Sequence, residues 1–177
     1  MAVSSSSSSK IVNCLFFESQ AEDAANFYTS IFPNSSIGDV ARFPGDGLDV
    51  HKQPANSAMA VVFKLNGHPF TALNSRPADV QFTEAVSFQI MCDNQDEVDH
   101  YWDKLTEGGD ETKQMCGWLK DKYGLSWQVV PKDITKIMTE AEPDKRWRAM
   151  QAFMKMRKII IQDVIDAVEG KGEKEEA

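Results

Sequence analysis

The chain has 177 residues, is 42% hydrophobic and carries a formal net charge of −8. That is enough for one domain, or two fused half-domains, with a buried core. The acidic balance argues against nucleic acid and anionic membrane surfaces as partners, and no apolar run approaches the roughly 20 residues of a spanning helix.

The opening MAVSSSSSSK has six consecutive serines and reads as a disordered tail over residues 1–9. With one lysine and no apolar stretch of signal length, it is not read as a secretory leader. Lys10–Phe17 reads as a strand. Ser19-Gln20-Ala21-Glu22 has the capping-box pattern, predicting a helix from Ala21 to Phe32 that Pro33 stops. A strand at Ile37–Phe43 and a polar loop from Pro44 to Ser57 follow. Ala58–Leu65 and Pro69–Leu73 then form a hairpin about Asn66-Gly67, a strong turn dipeptide. The pattern restarts with a strand at Ala85–Cys92, a helix from Asp93 to Thr106, a short strand at Thr112–Met115 and a hairpin over Cys116–Pro131 that turns at Gly124.

A shift of 74 residues lays Phe27-Tyr28 on Tyr101-Trp102 and Glu22-Asp23 on Asp96-Glu97. Strand start, acidic first turn and aromatic pair all match, so the chain is an internal duplication. The predicted fold class is α+β. Each half reads strand, helix and three strands, giving tandem βαβββ modules followed by a C-terminal helical extension. The expected boundaries are a domain over 10–138 with halves 10–76 and 85–131, a helix over 142–169 and a disordered tail over 170–177. Trp147, Met150, Met154, Ile161, Val164, Ile165 and Val168 mark an apolar stripe on that helix, with strand-like Ile159-Ile160-Ile161 as a point of breakage.

The three cysteines, an odd number without paired spacing, suit a reducing compartment, so a cytoplasmic location is expected. Cys14 and Cys92 are expected to be buried thiols. His51, His68 and His100 have no metal-binding spacing.

The duplicated module, with FYTSIFPNS in the first half and CGWLKDKYGLSWQVVP closing the second, resembles the PhnB-like branch of the vicinal oxygen chelate superfamily. That superfamily includes glyoxalase I, extradiol dioxygenases and bleomycin-resistance proteins. The resemblance covers Lys10 to Met138. It implies that the modules form curved mixed sheets around a cavity with four key positions, which fall here on Asn13, Thr71, Ser87 and Gln128. Metal-dependent members place His or Glu there. Neutral side chains are poor ligands for a divalent ion, so no metal and no other cofactor is expected. Strand alternation adds Phe17 and Gln89 to the lining, and Trp118 stands at the cavity mouth. Lys120 and Asp121 read as solvated strand-end charges and Trp127 as core. Branch members are often called 3-demethylubiquinone-9 3-methyltransferase, but the chain has no glycine-rich strand-to-helix turn for S-adenosylmethionine.

The leading expectation is therefore a metal-independent, homodimeric small-molecule-binding protein. Two alternatives are open. One is a lyase, isomerase or oxygenase acting on a small oxygenated metabolite, either metal-free or with unforeseen metal ligands such as His51 or Glu84. The other is an acidic interaction protein that dimerises through its C-terminal helix.

Overall fold

In the computed structural model, which describes residues 10–171, the chain forms two compact units divided after Gln81. The expected tail over 1–9, and 172–177 of the second tail, lie outside the described residues.

The first unit contains β1 (Asn13–Phe16), α1 (Ala21–Ile31), β2 (Ser36–Arg42), a short α2 (Leu48–His51), β3 (Ala58–Leu65) and β4 (His68–Leu73). Its sheet has the order β1-β4-β3-β2, with β1 parallel to β4 and the other pairs antiparallel. Asn66 (φ 47°) and Gly67 (φ 79°) both take the left-handed backbone that a tight two-residue hairpin turn requires. The helix side of the sheet presents Leu15, Phe17, Val61, Phe63, Phe70 and Ala72. All six are buried, as are Ala21, Ala24, Ala25, Tyr28 and Ile31 of α1. Small residues on α1 allow the helix to lie close to β3 and β4.

Ser19 does not cap α1. The helix starts after Gln20, and the Ala21 amide donates to Asn74 Oδ1 (2.9 Å), reached from just past β4. Asn74 also donates to the Ala58 carbonyl (2.8 Å), so one buried amide ties a helix start to a strand start. The predicted capping partner, Glu22, instead forms a two-pronged pair with Arg42 (2.8 and 3.0 Å). A contact between residues far apart in sequence thus replaces the local cap.

The second unit contains β5 (Phe88–Cys92), α3 (Gln95–Thr106), a 3-10 turn (Glu111–Lys113), β6 (Trp118–Lys120), β7 (Ser126–Pro131), α4 (Lys132–Glu140), α5 (Pro143–Phe153) and α6 (Ile161–Val168). Its sheet has three strands, ordered β5-β7-β6. The strand expected at Thr112–Met115 is absent. Asp110 Oδ1 accepts from the Thr112 amide (2.9 Å) and hydroxyl (2.6 Å), which coils this segment into a turn and leaves only one bridge, Met115 to Trp118. Helix α3 has a true side-chain cap. Asn94 Oδ1 accepts from the Glu97 amide (2.9 Å) and Glu97 reaches back to the Asp93 amide (2.7 Å).

The duplication is clear in the helices, since Ala21 and Gln95 start α1 and α3 with an offset of 74 residues. The strands follow a different offset. Cys14 pairs with Thr71 and Gln89 with Gln128, so β1 and β5 correspond at 75 residues, one more than the helices.

The C-terminal segment is not one helix over 142–169. It breaks between Phe153 and Ile161, the region where three consecutive isoleucines disfavour helix. The break has a tertiary reason. The Met156 and Arg157 carbonyls accept from the Cys116 and Gly117 amides (2.8 Å each), and Ile159 is buried. Ile134, Ala149, Ile159 and Val164 form the centre of a separate apolar cluster. Ala149 is the buried residue of α5, whereas Trp147 and Met154, expected on its apolar stripe, are more than half exposed. Among the described residues, no helix is long and apolar enough to cross a membrane.

Candidate functional site

The second sheet has one face packed on α3 and one open face. Leu119, Trp127, Val129, Ile90 and Cys92 alternate onto the helix side and are buried. The open face carries Ser87, Gln89 and Met91 along the β5 side, Gln128 and Val130 on β7, and Trp118 and Lys120 on β6. The register sets these neighbours: Gln89 stands beside Gln128, and Trp118 beside Gln128 on the other side.

Hydrogen bonds join the polar members into a row. Gln128 Nε2 donates to Ser87 Oγ (2.8 Å), and Gln89 Nε2 donates to Gln128 Oε1 (3.0 Å). The sequence-predicted residues Ser87, Gln89, Trp118 and Gln128 are therefore brought together.

Next to this row lies a cavity of about 540 Å³ lined by Met115, Trp118, Leu119, Lys120, Ser126 and Met154, among others. Glu84 and Lys113 lie at its edge, and Glu84 Oε1 is 3.3 Å from both Lys113 Nζ and Lys120 Nζ. The Glu84 carboxyl is held down to about 2, first by a bond from its own backbone amide and then by the two lysines. Lys120 is mostly buried, with 19% of its side chain exposed. Ser126 is 1% exposed, and its Oγ has no hydrogen-bond partner among the described residues.

Sequence reasoning misses Ser126 and places Lys120 in solvent. Alternation about Gln128 does place Ser126 on the open face, and pairing across the hairpin then adds Lys120. No local pattern links Glu84 to either lysine. Lys120 and Asp121 are not a solvated pair. Asp121 is 3% exposed and accepts from the Tyr123 and Leu125 amides (2.9 and 3.0 Å) and from Trp127 Nε1 (2.8 Å).

In the first unit the register separates residues that were expected to face one way. Thr71 lies on the open face of its sheet beside Cys14 and Val62. Asn13 pairs with Phe70, and Phe17, at 2% exposure, is buried in the helix-side core. The correction follows from the one-residue difference in offset, because a slip of one residue turns every side chain of a strand to the other face. Cys14 is accordingly exposed, not buried as expected, while Cys92 is buried. Burial and the neighbouring Glu97 and Asp93 raise the Cys92 thiol to about 12, so it is neutral near pH 7.

The alternative metal ligands are engaged elsewhere. His51 Nδ1 accepts from the Gln53 amide (3.1 Å), its Nε2 lies 3.2 Å from the Asp46 carbonyl, and its ring stacks on Phe43 at 4.6 Å. Glu84 is bound to the two lysines. Among the described residues, no three His, Cys, Asp or Glu side chains are grouped to hold a metal ion.

A duplicated βα module with an open mixed sheet in each copy defines the vicinal oxygen chelate class of proteins. Within that class, the family described as 3-demethylubiquinone-9 3-methyltransferase matches residues 9–130, and the chain belongs to it. A solved structure of a putative 3-demethylubiquinone-9 3-methyltransferase, PhnB protein, from Bacillus cereus is 32% identical. That match covers 70% of this chain and 99% of the other, with a TM-score of 0.62. Protein PA1353 from Pseudomonas aeruginosa shares the fold at 20% identity and a TM-score of 0.52, covering 70% and 98% of the two chains. No curated protein matches the chain.

Proposed function

We propose that the chain is a metal-independent small-molecule-binding protein whose ligand sits on the open face of the second sheet. The observation that carries this reading is the row Ser87–Gln128–Gln89 beside a cavity of about 540 Å³. Small-molecule sites combine an apolar wall with a few converging polar groups, and this face has both.

Metal independence is argued from donor chemistry. An amide and a hydroxyl are neutral and weak toward divalent first-row ions. Gln128 Oε1 already accepts from Gln89, and an ion there would have no carboxylate in the row to offset its charge. In the first unit, Thr71 and Cys14 contribute a hydroxyl and an exposed thiol that partial desolvation still raises, which is a poor source of thiolate. Methyl transfer, the activity in the family's name, is not part of the proposal. Neither strand-to-helix turn, Phe17–Gln20 or Asp93–Asn94, contains the glycine that close approach to a nucleoside cofactor requires.

Elemental analysis of protein purified without chelator, then dialysed against mild chelator, tests the metal claim. The expected result is a trace of metal well below one ion per chain. A stoichiometric ion of iron, nickel, manganese or zinc that survives dialysis overturns it. Mass spectrometry of small molecules released on denaturation tests the binding claim.

A further inference from the structure

The cavity beside Trp118 has a specific charge pattern. Two ammonium groups, Lys113 Nζ and Lys120 Nζ, converge on one carboxylate oxygen, Glu84 Oε1, at 3.3 Å each. The Asp110 carboxylate also acts on both lysines, so the two ammonium groups face two carboxylates. Glu84 lies in the exposed segment before β5, outside any helix or strand, and its side chain is 48% exposed. Lys120 is on β6 with its side chain largely covered, so it is the rigid member. Below them Ser126, paired with Lys120 across the hairpin, has a buried hydroxyl without a partner among the described residues. Thr112 and Cys116 also line the cavity, and the apolar part of the wall is Met115, Trp118, Leu119 and Met154.

We propose that this cavity binds an amphipathic monocarboxylate, and that Glu84 is an internal surrogate for its head group. The inference rests on the small-molecule reading above and names its ligand class. The ligand's carboxylate takes the place of Glu84 between Lys113 and Lys120 and accepts from Ser126. Its apolar body lies along Trp118, Met115 and Met154. Methionine and indole surfaces adapt to chains or rings without strong shape selection. A ligand carboxylate in the place of Glu84 leaves the charge of the cluster unchanged, which favours a singly charged head, and displaced Glu84 is released to solvent at no burial cost because its segment is exposed. A cationic ligand would be repelled by the lysines. A neutral alcohol would leave both ammonium groups on Glu84 and would lose the charge-assisted bonds. The surrogate therefore acts as a built-in competitor that raises the apparent Kd of the ligand.

Matched eight-carbon probes test the proposal: octanoate, octanol and octylammonium, titrated into the full chain with calorimetry and tryptophan fluorescence as readouts. Octanoate should bind and octanol should bind about tenfold more weakly, the scale of one lost charge-assisted contact. Octylammonium should not bind measurably. Removing the competitor in E84A should tighten octanoate several-fold, whereas K120M should weaken it about tenfold and erase its advantage over octanol. K113M, at an exposed position, serves as the second lysine variant should K120M fail to fold, as judged by its melting transition. Octanol binding as tightly as octanoate overturns the anion class and leaves the small-molecule reading standing. E84A weakening or leaving octanoate unchanged overturns the surrogate role. Failure of all three probes to bind wild type and E84A overturns the assignment of this cavity, a result distinct from an unrelated molecule being released from the purified protein.

Discussion

Trp127 Nε1 donates to Asp121 Oδ2 at 2.8 Å, joining the middle of β7 to the turn that precedes it. The same carboxylate accepts from the Tyr123 and Leu125 amides; the Asp121 amide donates to the Leu125 carbonyl (3.0 Å) and the Gly124 amide donates to the Asp121 carbonyl (2.9 Å), closing the turn. A buried acid is costly unless each lone pair is used, and here the hairpin supplies the donors. Gly124, at φ 86°, allows the chain to reverse around it. Asp121 thereby holds β6 and β7 in the register that sets Trp118 beside Gln128.

Replacing Asp121 with Ala leaves several buried donors unpaired. We expect a loss of about 3 kcal/mol in chemical denaturation, from the cost of unmade bonds to a charged group. D121N, which keeps an acceptor, should lose about half as much. W127F removes the donor and leaves a smaller ring at a buried position, and should cost about 2–4 kcal/mol.

Gly109 is a second hairpin support. A Cβ there would meet the Lys120 carbonyl at 2.4 Å, and that neighbour is backbone and cannot swing away. G109A should lower stability by about 1–3 kcal/mol, the usual range for overpacking. Because the clash falls on Lys120, the variant should also weaken octanoate binding. G45A, where a Cβ meets nothing within 4 Å, is the matched control and should leave both measurements unchanged.

The thiols should react in an order set by exposure. In native protein, Cys14 should label first with a thiol reagent at neutral pH, Cys116 more slowly, and Cys92 only on unfolding. Cys92 also predicts a pH effect. Its folded value of about 12 exceeds the ordinary 9.0, so the folded state holds its proton more tightly than the unfolded state. That contribution is complete below pH 9.0 and is lost as pH rises toward about 12. C92A should therefore show a flatter loss of stability over this range in denaturation series at stepped pH.

Ending the chain at Met138 tests the role of the C-terminal helices. Ile159 and Val164 are fully or almost fully buried against Ile134, and the Met156 and Arg157 carbonyls bond to the hairpin. Removing them should cost at least about 3 kcal/mol from lost apolar burial alone. Protection of the Cys116 and Gly117 amides in hydrogen exchange should fall with it. Unchanged stability, with a change in oligomeric state only, would show that the segment serves a partner chain instead of its own unit.

Much of the architecture was legible in the chain. The helix pair, the Asn66-Gly67 hairpin and the Cys116–Pro131 hairpin all follow from periodicity and turn residues, which act over a few positions. Trp127 was read as core from the opposite parity of Gln128, and at 2% exposure it is core. The grouping of Ser87, Gln89, Trp118 and Gln128 was also within reach, because one register error would have turned all of them at once.

Asn13 and Phe17 show where such reading stops. Helix-to-helix spacing gave an offset of 74, but β1 pairs as though the offset were 75. The connection from strand to helix is one residue longer in the first unit, and nothing in the local pattern shows where that residue is absorbed. Pairing with β4 decides it.

The sequence by itself determined the duplication, the family, the neutral character of the residues at Thr71, Ser87 and Gln128, and the acidic balance of the whole. These are properties of residue identity and short-range order. Only the tertiary structure decided which face Asn13 occupies, that Asn74 caps α1, and that Glu84 stands between Lys113 and Lys120. Each of these depends on contacts between segments whose sequence separation leaves no local trace, and they form because burial and hydrogen bonding are satisfied across the fold.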